Sequence, residues 1–169
     1  MTTGETTQVT DFGHPALADG RQSDKALAIA RGTRRHLHML GLQSLTEMPL
    51  PNGRRADIVA ISDGGEVWIV EIKSGVEDFR SDNKWPEYRE FADKFFFAVN
   101  ADFPSDILPD EAGYIVADRF GAEIIRMSDK DALPAARRKA LILRIARAAC
   151  SRLHNLSDPE FGNETFRQT

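Results

Sequence analysis

Three strand-like runs follow one another between residues 42 and 73, and the turns between them limit how the chain can fold. Residues 42–50 are closed by a Pro-Asn-Gly turn, residues 55–62 by Asp-Gly-Gly, and residues 66–73 by Ser-Gly. Turn residues of this kind between runs rich in β-branched and apolar residues are typical of antiparallel hairpins. The pattern therefore predicts three consecutive strands of a sheet, with a hairpin that joins the second and the third.

Helices are predicted on both sides of these strands. Ser23 is a suitable N-cap for a helix over residues 24–40, whose apolar residues recur on one face. Pro86 suits the first turn of a second helix that runs to about Asp93. A last helix begins near Pro134 and runs to about Leu153.

The rest of the chain predicts further strands. Residues 95–100 form a short continuous apolar run, which is typical of a strand buried on both faces. Residues 114–117 and 123–127 predict an added β pair. The order of elements indicates an α/β fold with a central mixed sheet flanked by helices. We expect one domain over residues 23–153, a flexible N-terminal leader over 1–22 and a polar C-terminal tail over 154–169.

Composition bears on the compartment. Cys150 is the single cysteine, so no disulfide can form within the chain, as is usual in a reducing compartment. No stretch approaches the roughly 18 apolar residues of a membrane span, and the first residues lack the pattern of a secretory signal. These features predict a cytoplasmic protein without a membrane span.

Charge is unevenly distributed along the chain, although the net charge is only −4. Residues 21–55 hold seven Lys or Arg against two acids, and residues 131–152 hold six against one. A polyanion responds to such local fields. The predicted basic faces are either a nucleic-acid footprint or ordinary solvated helix surfaces. Their members are Arg31, Arg34, Arg35 and His38 on the first helix, and Arg137, Arg144 and Arg147 on the last.

Two acids and a lysine occupy positions that suggest chemistry. Asp57 lies near the start of the second strand, and Glu71 and Lys73 project from one face near the end of the third. Carboxylates that converge repel each other unless a cation lies between them, and a lysine beside them can stabilise charge on a phosphate. The alternative is a set of solvent-facing strand-end charges with Lys73 as ion-pair partner. The apolar run before Glu71 favours the first interpretation, because burying such charges is costly.

Residues 24–100 resemble the PD-(D/E)XK nuclease superfamily. Its restriction-endonuclease-like αβββαβ core carries an Asp on the second strand and (D/E)-x-K on the third, although Ala56 replaces the proline of the motif name here. Within that superfamily the chain is similar to the MmcB-like DNA-repair proteins of bacteria. The stretches that carry this similarity are GRRADIVAI, EVWIVEIKSGVEDFRSDNKWPEYREFADKFFFAV, GYIVADRFGAEIIR and ARRKALILRIARAACSRL.

The resemblance implies a metal-dependent DNA endonuclease of DNA-damage repair that uses a metal-activated water. Asp57 and Glu71 would then bind Mg²⁺ or Mn²⁺ with the backbone carbonyl of Ile72, and Lys73 would position the water. The alternative is a non-catalytic DNA-binding or scaffolding domain of the same fold. The implied partners are DNA and other DNA-repair proteins, and a homodimer is left open. A small-molecule enzyme is disfavoured, since neither a Gly-rich phosphate loop nor a nucleophile triad occurs.

Other residues are candidates for supporting roles around this motif. Glu47 is either an auxiliary metal-binding acid on the first strand or an exposed edge charge. Arg54 and Arg55 either hold a phosphate near the metal or form a charged turn. Lys84 and Tyr88 are four residues apart and so share a helix face. The full set expected to bind DNA or support the site is Arg54, Arg55, Lys84, Tyr88, Arg31, Arg34 and Arg35.

Overall fold

A computed structural model describes residues 23–82 and 84–160. The predicted leader over 1–22, and residues 161–169 of the predicted tail, lie outside the described residues. The α-helices and strands are α1 (Asp24–Met39), β1 (Gln43–Pro49), β2 (Arg55–Ile61), β3 (Val67–Lys73), α2 (Val76–Ser81), α3 (Pro86–Arg89), β4 (Lys94–Val99), β5 (Gly113–Ala117), β6 (Ala122–Arg126) and α4 (Ala135–Ser157), and a short 3-10 helix spans Ser105–Ile107. No helix of this part of the chain is long and apolar enough to cross a membrane.

The six strands form one sheet in chain order, from β1 at one edge to β6 at the other. β1, β2 and β3 are antiparallel neighbours, β3, β4 and β5 are parallel, and β6 is antiparallel to β5. The turns of the β1–β2 and β2–β3 hairpins contain Gly53 and Gly65 with φ of 81° and 77°, a conformation that glycine adopts without strain. The predicted mixed α/β sheet is confirmed, and it is compatible with a restriction-endonuclease-like fold.

Two apolar layers cover the sheet, one on each face. α1 packs against one face through Ile29 and Leu37, whereas α3 and α4 cover the other with Tyr88, Leu141 and Ile145. The phenylalanines of β4 alternate between these layers. This explains the continuous apolar run in the sequence, since a strand between two layers needs apolar residues on both sides.

The structure differs from the predicted helices between β3 and β4. The predicted helix over 86–93 ends at Arg89, and α2 is an additional helix. α2 has six residues and none of them is buried, so it leaves no apolar period in the sequence. The chain leaves the helical path before Asp93, which directly precedes β4 and whose backbone N–H donates to the carbonyl of Val67 at the start of β3.

The last helix continues four residues beyond the predicted end. α4 ends at Ser157, within the segment predicted as a polar tail. The stop signal is Pro159, because a proline disfavours helical conformation in the residue before it. The polarity of residues 154–157 reflects the exposure of this last turn and does not end the helix.

Gly32 allows α1 to pack closely on the turn between β5 and β6. A Cβ atom at this buried position would collide with the carbonyl oxygens of Asp118 and Gly121. We expect Gly32→Ala to lower the free energy of unfolding by about 1–3 kcal/mol, as overpacking does, although alanine favours helix more than glycine does. Urea denaturation measures the loss, with Gly64→Ala as control because its nearest neighbouring atom lies 3.8 Å away. A Gly32→Ala protein as stable as the control would contradict this packing.

Candidate active site

The open end of the β2–β3 hairpin brings together the predicted acidic pair. The ladder between these strands ends at Ile58 and Val70, and Asp57 and Glu71 are the next residues beyond it. The backbone N–H of Asp57 donates to Glu71 Oε1 at 3.2 Å, and the N–H of Ile72 donates to Asp57 Oδ2 at 2.7 Å. Each carboxyl is therefore positioned by the backbone of the opposite strand.

Lys73 lies on the same face of β3 as Glu71, as the strand period predicts. Its side chain is only 6% exposed, and its Nζ lies 2.5 Å from Oδ2 of Asp82, directly after α2. Sequence reasoning assigned no role to Asp82. Its only sequence signal was a spacing of four from Asp78, and the contact requires α2, which leaves no apolar pattern.

A cavity of about 420 Å³ opens onto these residues. The acidic pair and Lys73 line it together with Arg55, Asp78 and Tyr88, and the start of α1 contributes Ser23 and Ala26. Glu71 and Lys73 are therefore buried at the end of the sheet and Asp57 is half-buried, but a ligand can reach all three from one side.

Burial perturbs both carboxyl groups in the same direction. It raises the pKa of Asp57 to about 6, against the opposing effect of the Ile72 N–H, and the charge of Glu47 adds to the rise. Burial, followed by the charge of Asp57, raises the pKa of Glu71 well above its usual value. Burial alone would lower the pKa of Lys73, but its hydrogen bond and attraction to Asp82, with that of Glu71, raise it. The site thus holds two carboxyls that are costly to ionise beside a charged ammonium.

Neutralising Asp57 should stabilise the protein at neutral pH in the absence of metal. A native pKa of about 6 against an ordinary 3.8 means that ionisation disfavours the folded state. This penalty is absent below about pH 4, grows as the pH rises towards the native pKa, and is complete above it. We expect Asp57→Asn, which keeps an acceptor for the Ile72 N–H, to raise the free energy of unfolding by about 1–3 kcal/mol at pH 7.5.

Urea denaturation in chelator at pH 7.5 and pH 4 tests this expectation, and Glu71→Gln should behave in the same way. The exposed turn residue Asp63 provides the control Asp63→Asn, which should change little at either pH. If both site variants are no more stable than the control at pH 7.5, burial does not destabilise these carboxylates.

Glu47 lies on β1 beside Asp57, with its side chain 15% exposed and its Oε2 2.6 Å from Nε of Arg55. It is thus not an exposed edge charge. Its φ of 49° is uncommon for a residue other than glycine. The guanidinium of Arg152 on α4 donates to the carbonyls of Thr46 and Glu47 and so supports this local backbone.

The other predicted supporting residues lie at different depths. Arg54 forms two 2.8 Å hydrogen bonds with the carboxylate of Glu87. Tyr88 is buried and lines the cavity, with its hydroxyl donating to the carbonyl of Arg55 at 3.4 Å. Lys84 is exposed and precedes α3, so it does not share a helix face with Tyr88. The structure brings Tyr88, but not Lys84, to the candidate site.

The predicted basic face of α1 is narrower in the structure. Arg31 and Arg35 are exposed, and Arg35 Nη1 donates to the carbonyl of Phe120 at 3.3 Å. Arg34 is half-buried, with Nε 3.4 Å from Oγ of Ser44. The expectation that Arg34 faces outward is therefore wrong, because it lies about 100° around the helix from the buried Thr33 and reaches the flanking strand.

The predicted basic stripe of α4 is partly used for packing. Arg137 Nη1 donates to the carbonyl of Glu90 at 2.9 Å, and Arg144 Nε donates to the carbonyl of Pro49 at 2.8 Å. Arg147 is exposed. Two of these three arginines therefore connect α4 to neighbouring segments, Arg137 to the end of α3 and Arg144 to the end of β1.

The sheet and the site together define the class of protein: a small α/β protein with a half-buried carboxyl, a buried carboxyl and a buried lysine at the open end of a β-hairpin. The model of a family described as "DNA repair protein MmcB-like" matches residues 13–160, and the chain belongs to this family. The predicted MmcB-like resemblance is thus confirmed.

One solved structure also resembles the chain. The SPO1766 protein of unknown function from Silicibacter pomeroyi is 41% identical, with a TM-score of 0.78. The alignment covers 82% of this chain and 95% of that one. No curated protein matches the chain.

Proposed function

We propose that this protein acts in DNA repair by hydrolysing DNA phosphodiester bonds with a divalent metal ion. The observation that carries the proposal is the juxtaposition of the half-buried Asp57 and the buried Glu71 with Lys73 at a cavity that opens to solvent. A structural ion pair usually lowers the pKa of its carboxyl group. Two carboxyl groups with raised pKa values in one cleft are instead typical of functional sites. The description of the family supports the DNA-repair role.

The donor set suits Mg²⁺ or Mn²⁺. Within residues 23–82 and 84–160, no three His, Cys, Asp or Glu side chains are grouped to hold a metal. Mg²⁺ nevertheless takes only one or two carboxylates and keeps several waters. The carbonyl of Ile72 is a third candidate ligand, since the N–H and C=O of one strand residue point to the same edge and its N–H points to Asp57.

Each residue then has a definite role. Asp57 and Glu71 hold the metal, and its charge offsets the burial that otherwise disfavours their ionisation. When bound, such an ion lowers the pKa of a water molecule and withdraws charge from a phosphate. Lys73 donates hydrogen bonds to the attacking water or a phosphate oxygen, and Asp82 fixes the direction of the ammonium.

A cleavage assay tests this proposal. Labelled blunt duplex, gapped duplex, flap and single-stranded DNA are incubated with protein and Mg²⁺, Mn²⁺ or chelator. We expect cleavage of at least one substrate with metal only, its loss in Glu71→Gln, and its retention in the exposed control Asp63→Asn. Cleavage in chelator, or full activity of Glu71→Gln, would contradict the assignment.

A non-catalytic DNA-binding domain is the second candidate. The observation that favours it is that Arg54 and Arg55 beside the cavity are paired with Glu87 and Glu47, which reduces the charge available to a scissile phosphate. DNA binding without cleavage across all substrates and metals would support this candidate and exclude the first. Other DNA-repair proteins would then be its natural partners.

A further inference from the structure

A second cavity, of about 920 Å³, lies beside the candidate active site. Lys25, Ala28 and Ile29 of α1 line it, together with residues at the ends of β4 and β5 and in the turn over 118–121. Ser23 and Ala26, from the same turns of α1, line the active-site cavity. Both cavities therefore border the beginning of α1.

Strand register places this second cavity at the same sheet edge as the acidic pair. Lys73 is paired with Val99, and Val99 with Val116, so the parallel strands β3, β4 and β5 end at one level. β5 is two strands from β3, which is roughly 10 Å. A few nucleotides of one DNA strand span that distance, since stacked nucleotides rise about 3.4 Å each.

Phe120 is an aromatic side chain held at the rim of this cavity. It is 72% exposed, although its backbone is well fixed. Oδ1 of Asp118 accepts from the N–H groups of Phe120 and Gly121 at 2.7 and 3.0 Å, and Arg35 donates to the carbonyl of Phe120. A rigid turn that presents a phenylalanine to solvent offers a surface for another aromatic ring.

The polar groups around Phe120 suit a nucleotide. The guanidinium of Arg119 lies 5.5 Å from the Phe120 ring centroid, and Lys25 and Arg35 add positive charge. Three acids also line the cavity. Asp118 accepts from the two backbone N–H groups of its own turn, and Asp102 accepts from Nδ2 of Asn100 at 3.2 Å. Glu123 is exposed.

Asn100 combines a place in the wall of this cavity with a buried acceptor that has no partner. Its Oδ1 is buried without a hydrogen-bond partner, and Asn100 is one of the residues that line the cavity. An unsatisfied buried acceptor is costly, and a rotation of the Asn100 side chain towards the cavity would let an amine or ring N–H of a base satisfy it.

We propose that the second cavity binds an unpaired base of a single-stranded stretch of DNA. The base stacks on Phe120 and donates to Oδ1 of Asn100, while Lys25, Arg35 and Arg119 face the neighbouring phosphates. The inference rests on the proposed function and deepens it, because it defines the substrate as DNA with unpaired bases beside the cleavage site. Stacking of this kind tolerates any sequence.

Fluorescence anisotropy with a labelled 15-nucleotide single strand and a blunt hairpin duplex tests the proposal. We expect Phe120→Ala to weaken single-strand binding about fivefold to a hundredfold, as loss of one stacked base does. Its affinity for the duplex should stay within about twofold of the wild-type affinity. Phe120→Trp should retain single-strand affinity. Leu143→Ala, at an apolar side chain 56% exposed on α4, is the control and should change neither affinity.

Three results would overturn the inference: unchanged single-strand affinity in Phe120→Ala, an equal loss for the duplex, or no single-strand binding by the wild-type protein. Its failure is distinguishable from failure of the proposed function. Glu71→Gln should bind the single strand as wild type does, and Phe120→Ala should bind Mn²⁺ as wild type does. If the wild-type protein neither binds Mn²⁺ nor cleaves DNA, but its single-strand affinity still depends on Phe120, only the nuclease proposal is refuted.

Discussion

Replacing Asp93 by alanine is expected to lower the free energy of unfolding by about 3–5 kcal/mol, the usual cost of removing one partner from a buried ion pair. The carboxylate of Asp93 is fully buried. It accepts two hydrogen bonds from Arg138 of α4, one from the N–H of Val67 at 2.8 Å and one from the N–H of Leu133 at 3.0 Å. The variant would leave all these donors without their acceptor.

The pH dependence of this effect has a definite sign. Burial would raise the pKa of Asp93, but the hydrogen bonds from Arg138, Val67 and Leu133 outweigh it and lower the pKa. A carboxyl with a lowered native pKa stabilises the fold fully above its ordinary pKa of 3.8 and loses that contribution as the pH falls through the native value. The difference between wild type and Asp93→Ala should therefore be constant from pH 8 to 5 and shrink only below about pH 4.

Urea denaturation across this range provides the measurement, with Glu87→Ala as a matched ion-pair control. The Glu87 side chain is 46% exposed in its pair with Arg54, and exposed pairs contribute about 1 kcal/mol or less. If Asp93→Ala loses no more stability than Glu87→Ala, the buried pair does not hold α4 to the sheet.

Replacing Lys73 by methionine is expected to lower the rate of DNA cleavage by at least about a hundredfold while leaving DNA affinity within a few fold. The proposed role of the ammonium lies in the transition state, where a preorganised donor contributes about 10²–10³ in rate, and not in docking. Methionine keeps most of the volume of a side chain that is only 6% exposed. Single-turnover cleavage and anisotropy, measured on the same substrate, separate the two effects.

Two further variants give this prediction its controls. Lys84→Met removes a nearby exposed lysine and should leave the cleavage rate unchanged. Asp82→Asn should lower the rate less than Lys73→Met, because it only loosens the position of the ammonium. A Lys73→Met protein that cleaves within about threefold of wild type would remove Lys73 from the mechanism.

The acidic pair and Lys73 could be predicted because their placement follows from local rules. Turn residues fixed the hairpin, and a strand period of two put Glu71 and Lys73 on one face. The mixed sheet followed from the order of runs in the same way.

Contacts between distant segments could not be predicted from the sequence. Arg138 reaches Asp93 across 45 positions, and Arg152 supports the unusual backbone of Glu47 across 105. Asp82 was not predicted as a site residue because its position depends on a helix with no buried residue. For Asp93 and Glu47 the determining partner lies outside the window in which periodicity carries information.

Calorimetric titration with Mn²⁺ at pH 7.5 tests the central claim most directly, because it reports on the acidic pair without requiring the right DNA substrate. We expect the wild-type protein and the exposed control Asp63→Asn to bind Mn²⁺ saturably and with the same affinity. Asp57→Asn and Glu71→Gln should each lose that binding while remaining folded. Undiminished Mn²⁺ binding by both site variants, or no binding by the wild-type protein, would contradict the assignment of Asp57 and Glu71 as a metal site.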